Sequence, residues 1–241
     1  MINFLSKILR PKNPKRLFDS ISYERLDKAK KLLESGHNPN TLDEHGQNPL
    51  FRIVYNKTTT QPDFLQLFIS HGVNVNFQRP DGSTPIFFAR GIALKMLLEN
   101  GAKLTFKNNL GDTPLHRVLC AEDAELLIAS GLNINEKNNS FSTLLHGSVY
   151  GSNALVKFCV DSGAEVNAKN INGRTPLMCL AMTEYVTEKN EQLDILIKAR
   201  YLIEAGADVD VVDNNGMTAS DHAKSVDNNE FAEWLKYGNT R

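Results

Sequence analysis

Residues 101–116 read G-A-K-L-T-F-K-N-N-L-G-D-T-P-L-H. Gly101 follows Met-Leu-Leu-Glu-Asn and stands where a helix ends, because glycine takes the left-handed conformation without a Cβ penalty. Gly111 marks a turn ten residues later. Thr113-Pro114-Leu115-His116 then has the chemistry of a helix start, with a capping hydroxyl and a proline at the position where a missing N–H costs little. The stretch is a junction between two helices, and it recurs.

Helix-ending glycines fall at Gly36, Gly72, Gly101, Gly131, Gly163 and Gly206, and a turn residue follows ten positions after each, at Gly46, Gly82, Gly111, Phe141, Gly173 and Gly216. Successive units are 36, 29, 30, 32 and 43 residues apart, so all variation in length lies between a turn residue and the next helix-ending glycine. The connectors alternate apolar and polar residues, as in Val73-Asn74-Val75-Asn76 and Val209-Asp210-Val211, which predicts an extended arm bent at an Asp/Asn-rich tip. Thr84 and Thr175, like Thr113, precede a proline and are expected to cap the following helix.

Each unit therefore reads as a hairpin-like turn followed by two antiparallel helices, A and B. The motifs Gly111-Asp112-Thr113-Pro114-Leu115-His116, Gly173-Arg174-Thr175-Pro176-Leu177 and Gly163-Ala164-Glu165-Val166-Asn167 resemble the ankyrin repeat, over about residues 16–235. The resemblance implies an all-α fold with short β-hairpin-like turns, an ankyrin-repeat solenoid. A basic lead-in, 1–15, precedes a single repeat domain, 16–241, with units at about 16–36, 43–72, 79–101, 108–131, 138–163, 170–206 and 213–235.

The units are irregular. The first starts at its helices and turns Lys28, Lys30 and Lys31 outward as a cap, and the second has Asn48-Pro49-Leu50 for Thr-Pro-Leu with helix B over 63–70. The third and fourth are about three to four residues below the usual 33, which predicts clipped interhelical turns at Arg90-Gly91 and Cys120-Ala121-Glu122-Asp123. Phe141 replaces the turn glycine of the fifth. The sixth gains about ten residues within 183–198, read as a longer helix A or a loop before a helix over 194–204, and the seventh closes on Phe231-Ala232-Glu233-Trp234-Leu235.

Composition excludes several classes. A formal net charge of −1 is too small for a protein built to coat nucleic acid. The first sixteen residues are locally basic (Lys7, Arg10, Lys12, Lys15, Arg16), leaving the remainder near −6. Their short apolar run precedes the charges, the reverse of a secretory signal, and membrane contact through residues 1–16 ranks below packing on the first repeat. Cys120, Cys159 and Cys179 are odd in number and lack C-x-x-C spacing, which fits reduced thiols and a cytoplasmic location.

His116 and Cys120 stand four apart, the spacing of a local Cys/His pair, but no third orienting group accompanies them. The resemblance instead assigns His116 and His146 to hydrogen bonds between neighbouring junctions. Glu122, Asp123 and Glu125 read as a solvated face, and no phosphate-binding glycine loop occurs. No cofactor, metal or catalytic residue is expected, and an enzyme with a site near His116/Cys120 or in 183–198 is the weaker alternative.

The expectation is a non-enzymatic module, monomeric alone, that binds another protein through its concave face. The role favoured is a steric inhibitor or immunity-type protein whose partner is a toxin or enzyme; an adaptor or secreted bacterial effector is the alternative. Candidate contacts are the tips and exposed ends of helix A. In order they are Glu44, His45, Gln47 and Tyr55; Asp81, Ser83 and Arg90; Asn109, Leu110 and Asp112; Ser140, Phe141, Ser142 and Tyr150; Ile171, Asn172, Arg174, Met182 and Tyr185; and Asn214, Asn215 and Met217. Leu110, Phe141, Ile171 and Met217 put apolar side chains on successive tips, where polar ones would be neutral choices.

Overall fold

A computed structural model describes residues 13–56, 58–183 and 189–238, with only the backbone at 189–191. The lead-in through residue 12 and Tyr185 lie outside the described residues, as does part of the 183–198 insertion. The described residues are helical and contain no strand. The chain divides into two compact units, Met1–Phe106 and Lys107–Arg241.

In the first unit, α1 (Lys15–Ser22) and α2 (Leu26–Glu34) form the opening pair, followed by α3 (Pro49–Tyr55) and α4 (Gln61–Ser70). A single 3₁₀ turn, Pro85–Phe87, and α5 (Gly91–Glu99) complete it. Helices A pack on helices A, α1 on α3 and α3 on the 3₁₀ turn, while helices B pack on helices B, α2 on α4 and α4 on α5. Leu17, Leu50, Phe51, Phe64, Phe68, Phe87 and Leu94 fill the space between, all essentially buried. Each such side chain stabilises by about 1.5–3 kcal/mol.

In the second unit, a 3₁₀ turn (Pro114–Arg117) precedes α6 (Ala121–Ala129), followed by α7 (Leu144–Ser148), α8 (Asn153–Asp161), α9 (Pro176–Ala181) and α10 (Lys189–Glu204). α11 (Ala219–Ser225) and α12 (Asn229–Glu233) end in a π turn, Trp234–Gly238, where Phe231 and Trp234 stack at 5.8 Å. The pairing repeats, with α7 on α9 and α9 on α11 in one layer and α6 on α8 and α8 on α10 in the other.

Asparagine side chains tie the connectors together inside each unit. Asn135 Nδ2 donates to the Gly163 carbonyl at 3.2 Å while its Oδ1 accepts from Glu165 N at 2.8 Å. Asn40, Asn76 and Asn167, each four residues past a helix-ending glycine, do the same. One amide thus satisfies both a terminal carbonyl of one repeat and the amide two residues further on.

Four expectations need correction. The third and fourth repeats are shortened in helix A, which shrinks to a 3₁₀ turn; Arg90 and Cys120 are the residues preceding α5 and α6. Ala121, Glu122 and Asp123 belong to α6 itself, and Asp123 is buried, so it is not part of a solvated face. In the sixth repeat helix B begins at Lys189 and is 16 residues long, five residues earlier than expected, while its helix A, Pro176–Ala181, is ordinary; 184–188 lie outside the described residues. The Thr84 hydroxyl is buried and makes no cap to the 3₁₀ turn that follows it.

Candidate functional site

Each tip is built around one Asp or Asn placed three residues before the turn position. Asn108 Oδ1 accepts from Leu110 N and Asp112 N, both at 2.9 Å, and Asn138 accepts from Ser140 N at 2.9 Å and Ser142 N at 3.0 Å. Asp43, Asn170 and Asp213 repeat the arrangement. These short side chains take the place of backbone partners in a tight turn.

The third repeat departs from this rule. Arg79 occupies the position, and Asp81 takes over, accepting from Ser83 N at 2.9 Å. The Arg79 guanidinium bonds the Asp81 carboxylate, donates to Tyr55 Oη at 3.0 Å and lies 4.5 Å over the Phe88 ring. That hydrogen-bonded guanidinium holds the Asp81 carboxyl down to about 2. Asp81 and Tyr55 are therefore tied into the fold by a side chain that sequence patterning did not single out.

Four predicted contacts in the first unit come together. Tyr55, His45 and Gln47 line a cavity of about 350 Å³ with Ser22, Asn56, Asp43 and Arg52. Glu44 lines a neighbouring cavity of about 310 Å³ that shares Asp43 and Arg52. Arg52 divides the two, held by Ser22 Oγ at 3.0 Å and lying 5.6 Å over the Phe18 ring. Ser83, by contrast, is buried, and Arg90 turns back to donate to the Ala89 carbonyl at 2.7 Å. Neither projects as a tip contact.

In the second unit, backbone bonds join the tips: Asn139 N to Leu110 O at 3.0 Å, Ile171 N to Ser140 O at 2.8 Å and Asn214 N to Asn172 O at 3.1 Å. Asn109, Ser140, Asn172, Asn214 and Asn215 are exposed, and Ser142, Met182 and Met217 half-buried. Leu110, Phe141, Tyr150 and Ile171 are 53–62% exposed, unusual for such side chains. Phe141 adopts φ +56° where five of the six tips have glycine. Two predicted contacts face inward instead. Asp112 is buried, accepting from Asn138 Nδ2 at 2.8 Å, and half-buried Arg174 lies 3.5 Å from the buried Asp213, which His222 Nε2 also reaches at 2.9 Å. Leu119, 67% exposed, was missed because the shortened helix A carries it outward.

The residues with reactive chemistry are engaged structurally. His116 Nδ1 accepts from Thr113 N at 3.1 Å, and its Nε2 donates to the Ser142 carbonyl at 3.1 Å. His146 is bonded identically to Thr143 N and the Arg174 carbonyl. An acceptor role at Nδ1 and a donor role at Nε2 require the neutral imidazole, and burial lowers both pKa values. Burial raises the Cys120 thiol, which opposes formation of a nucleophilic thiolate. Among the described residues no three His, Cys, Asp or Glu side chains are grouped to hold a metal, and no helix is long and apolar enough to cross a membrane.

Comparison with known proteins agrees with this architecture. A family model for ankyrin repeats (three copies) matches residues 17–108, 58–138 and 144–240. The human SH3 and multiple ankyrin repeat domains protein 2 is 27% identical over 96% of the chain, which spans 12% of that protein's length. The mouse B-cell lymphoma 3 protein homolog is 30% identical over 63% of the chain, corresponding to 36% of its own length. A fowlpox virus (strain NVSL) ankyrin repeat protein, FPV230, is 29% identical over 69% of the chain and 92% of its own. The solved ankyrin repeat domain of human ASB11 superposes with a TM-score of 0.74 at 22% identity, covering 93% of this chain and 98% of that one. The ankyrin repeat domain of Bcl-3 gives 0.66 at 22% identity, over 90% and 97%.

Proposed function

Because the chain belongs to the ankyrin repeat family, whose repeats are protein–protein interaction modules, we propose that it binds one protein partner through its tips and helix A ends and acts by covering that partner's working surface. The observation that carries this reading is Phe141. A non-glycine residue held at positive φ costs about 1–3 kcal/mol, and here the bulky ring is also left 53% exposed. Five of the six tips use glycine at this position, and aromatic side chains are strong anchors at protein interfaces. What supports an inhibitor or immunity role is steric masking: bound to a toxin or enzyme, a repeat array of this kind acts by blocking access. A cytoplasmic setting agrees with Cys120, Cys159 and Cys179 all being free thiols.

The test is photo-crosslinking from position 141 in cells of the source, identification of the adduct and titration of the isolated partner with the chain. An inhibitor abolishes the partner's activity at one equivalent. A partner that keeps full activity when saturated removes the inhibitor role and leaves an adaptor, and failure to recover any specific adduct from positions 141, 150 and 55 overturns the binding reading.

A further inference from the structure

The second unit carries twelve Lys/Arg and nineteen Asp/Glu, a net −7, with exposed Asp208 and Asp210 in its last connector, yet its first three tips each set a lysine beside an apolar side chain. Lys107, Lys137 and Lys169 each stand four residues before a turn position, so every tip that carries Leu110, Phe141 or Ile171 also carries one lysine. The Lys107 and Lys137 side chains are 47% and 43% exposed. Lys169 is exposed and donates to the Val212 carbonyl at 3.0 Å.

The two acids inside the turns, Asp112 and Asp213, lie beneath their partners. Asp112 is 7% exposed under Arg117, which is 46% exposed, and Asp213 is fully buried under Arg174, which is 25% exposed. Arg117 is the member of its pair that faces solvent, while half-buried Arg174 covers the Asp213 charge from above. Glu136 and Glu165 do pair with Lys107 and Lys137, but such exposed pairs are worth about 0–1 kcal/mol and yield to a better-placed carboxylate. At physiological salt the screening length is about 8 Å, so a docking segment senses these side chains and little of the unit's distant negative charge.

We propose that the tips of the second unit receive an extended segment of a partner protein in which apolar and acidic residues are interspersed. Its apolar side chains lie on Leu110, Phe141 and Ile171, and its carboxylates meet the lysines beside them. The proposal rests on the protein-binding reading above and specifies the chemistry of the segment bound. The backbone bonds between tips keep the apolar row and the lysine row in register, so the surface is formed before the partner arrives.

The experiment uses the full chain and three fluorescent twelve-residue peptides, followed by anisotropy at low and physiological salt. One alternates Leu/Phe with Asp/Glu, one alternates Leu/Phe with Lys/Arg, and one alternates Ser with Asp/Glu. The first should bind at least tenfold more tightly than either other and weaken with salt. Lys107→Gln/Lys137→Gln/Lys169→Gln should weaken it at least tenfold, and Phe141→Gly should weaken it while thermal unfolding shows a folded protein. Equal or tighter binding of the basic peptide, no binding by any peptide, or indifference to the lysine variant overturns the proposal. If the crosslinked partner still binds in those cases, only the assigned chemistry fails; if no partner is retained at all, the broader reading fails with it.

Discussion

Gly173 lies directly beneath Asn214. A Cβ built on the glycine would stand 2.8 Å from the Asn214 backbone nitrogen, while that nitrogen donates to Asn172 O at 3.1 Å and Nδ2 donates to Ile171 O at 3.0 Å. Gly111 and Asn139 make the same pair, with 2.7 Å to the Asn139 nitrogen. Gly163 also has positive φ, but a Cβ there meets nothing within 4 Å. Gly163→Ala should therefore cost only the backbone term, about 1–2 kcal/mol. Gly173→Ala adds a clash with backbone that cannot rotate away, and should cost about 2–4 kcal/mol. Urea unfolding of the two variants separates the terms, and equal losses would show that the neighbouring tip moves freely.

The asparagine clamps make a second measurable contribution. Asn135→Ala removes a donor to Gly163 O and an acceptor for Glu165 N, two bonds in a partly solvated place, and should lower stability by about 1–2 kcal/mol. Asn135→Asp keeps the acceptor but sets a carboxylate against the Gly163 carbonyl, so it should recover little of the loss at pH 7. Denaturation of both variants at one pH decides whether the donated bond matters as much as the accepted one.

Stability should also depend on pH through His116 and His146. Burial depresses both pKa values below that of the unfolded chain, near 6.5, so between the folded and unfolded values the unfolded chain binds more protons. Their contribution is complete above the unfolded pKa and declines as pH falls from about 6.5 through the folded values. Urea midpoints measured from pH 8 to pH 5 should fall over that window, and the fall should flatten in His116→Gln/His146→Gln.

The constant ten-residue interval made the repeat architecture legible in the sequence because connectors tolerate no change in length: each Asp or Asn side chain bonds amides at fixed offsets, as Asn138 does with Ser140 and Ser142. The clipping of the third and fourth repeats was misplaced because Ile86, Phe87 and Leu115 reach the core from one 3₁₀ turn as well as from a helix. A residue deficit says how much is missing, not from which element. Side-chain direction after the turn was likewise hidden. Asp112, Ser83 and Arg174 occupy equivalent places, and each turns inward according to its local partners, here Asn138 for Asp112 and Asp213 for Arg174. Phe141 and Leu110 needed no such knowledge, since an apolar side chain at a turn tip has little core within reach.

Asp213 offers a way to weigh a buried charge apart from the turn that holds it. The equivalent residue in the three preceding tips is Asn108, Asn138 or Asn170, so asparagine fits the turn and can accept from Asn215 N and Met217 N. What Asp213→Asn removes is the negative charge beside His222 and Arg174. Burial acts to raise the Asp213 pKa, but the Met217 and Asn215 amides and His222 outweigh it, and the net shift is downward. A depressed carboxyl contributes stability that is complete above the unfolded pKa, near 4, and is lost as pH falls through the folded value. At pH 7 the substitution should cost about 1–3 kcal/mol, below the full value of a broken buried pair because Arg174 is partly solvated. The gap between variant and wild type should close as the wild-type carboxyl protonates in acid, and a gap that stays constant down to pH 3 would assign the loss to packing instead of charge.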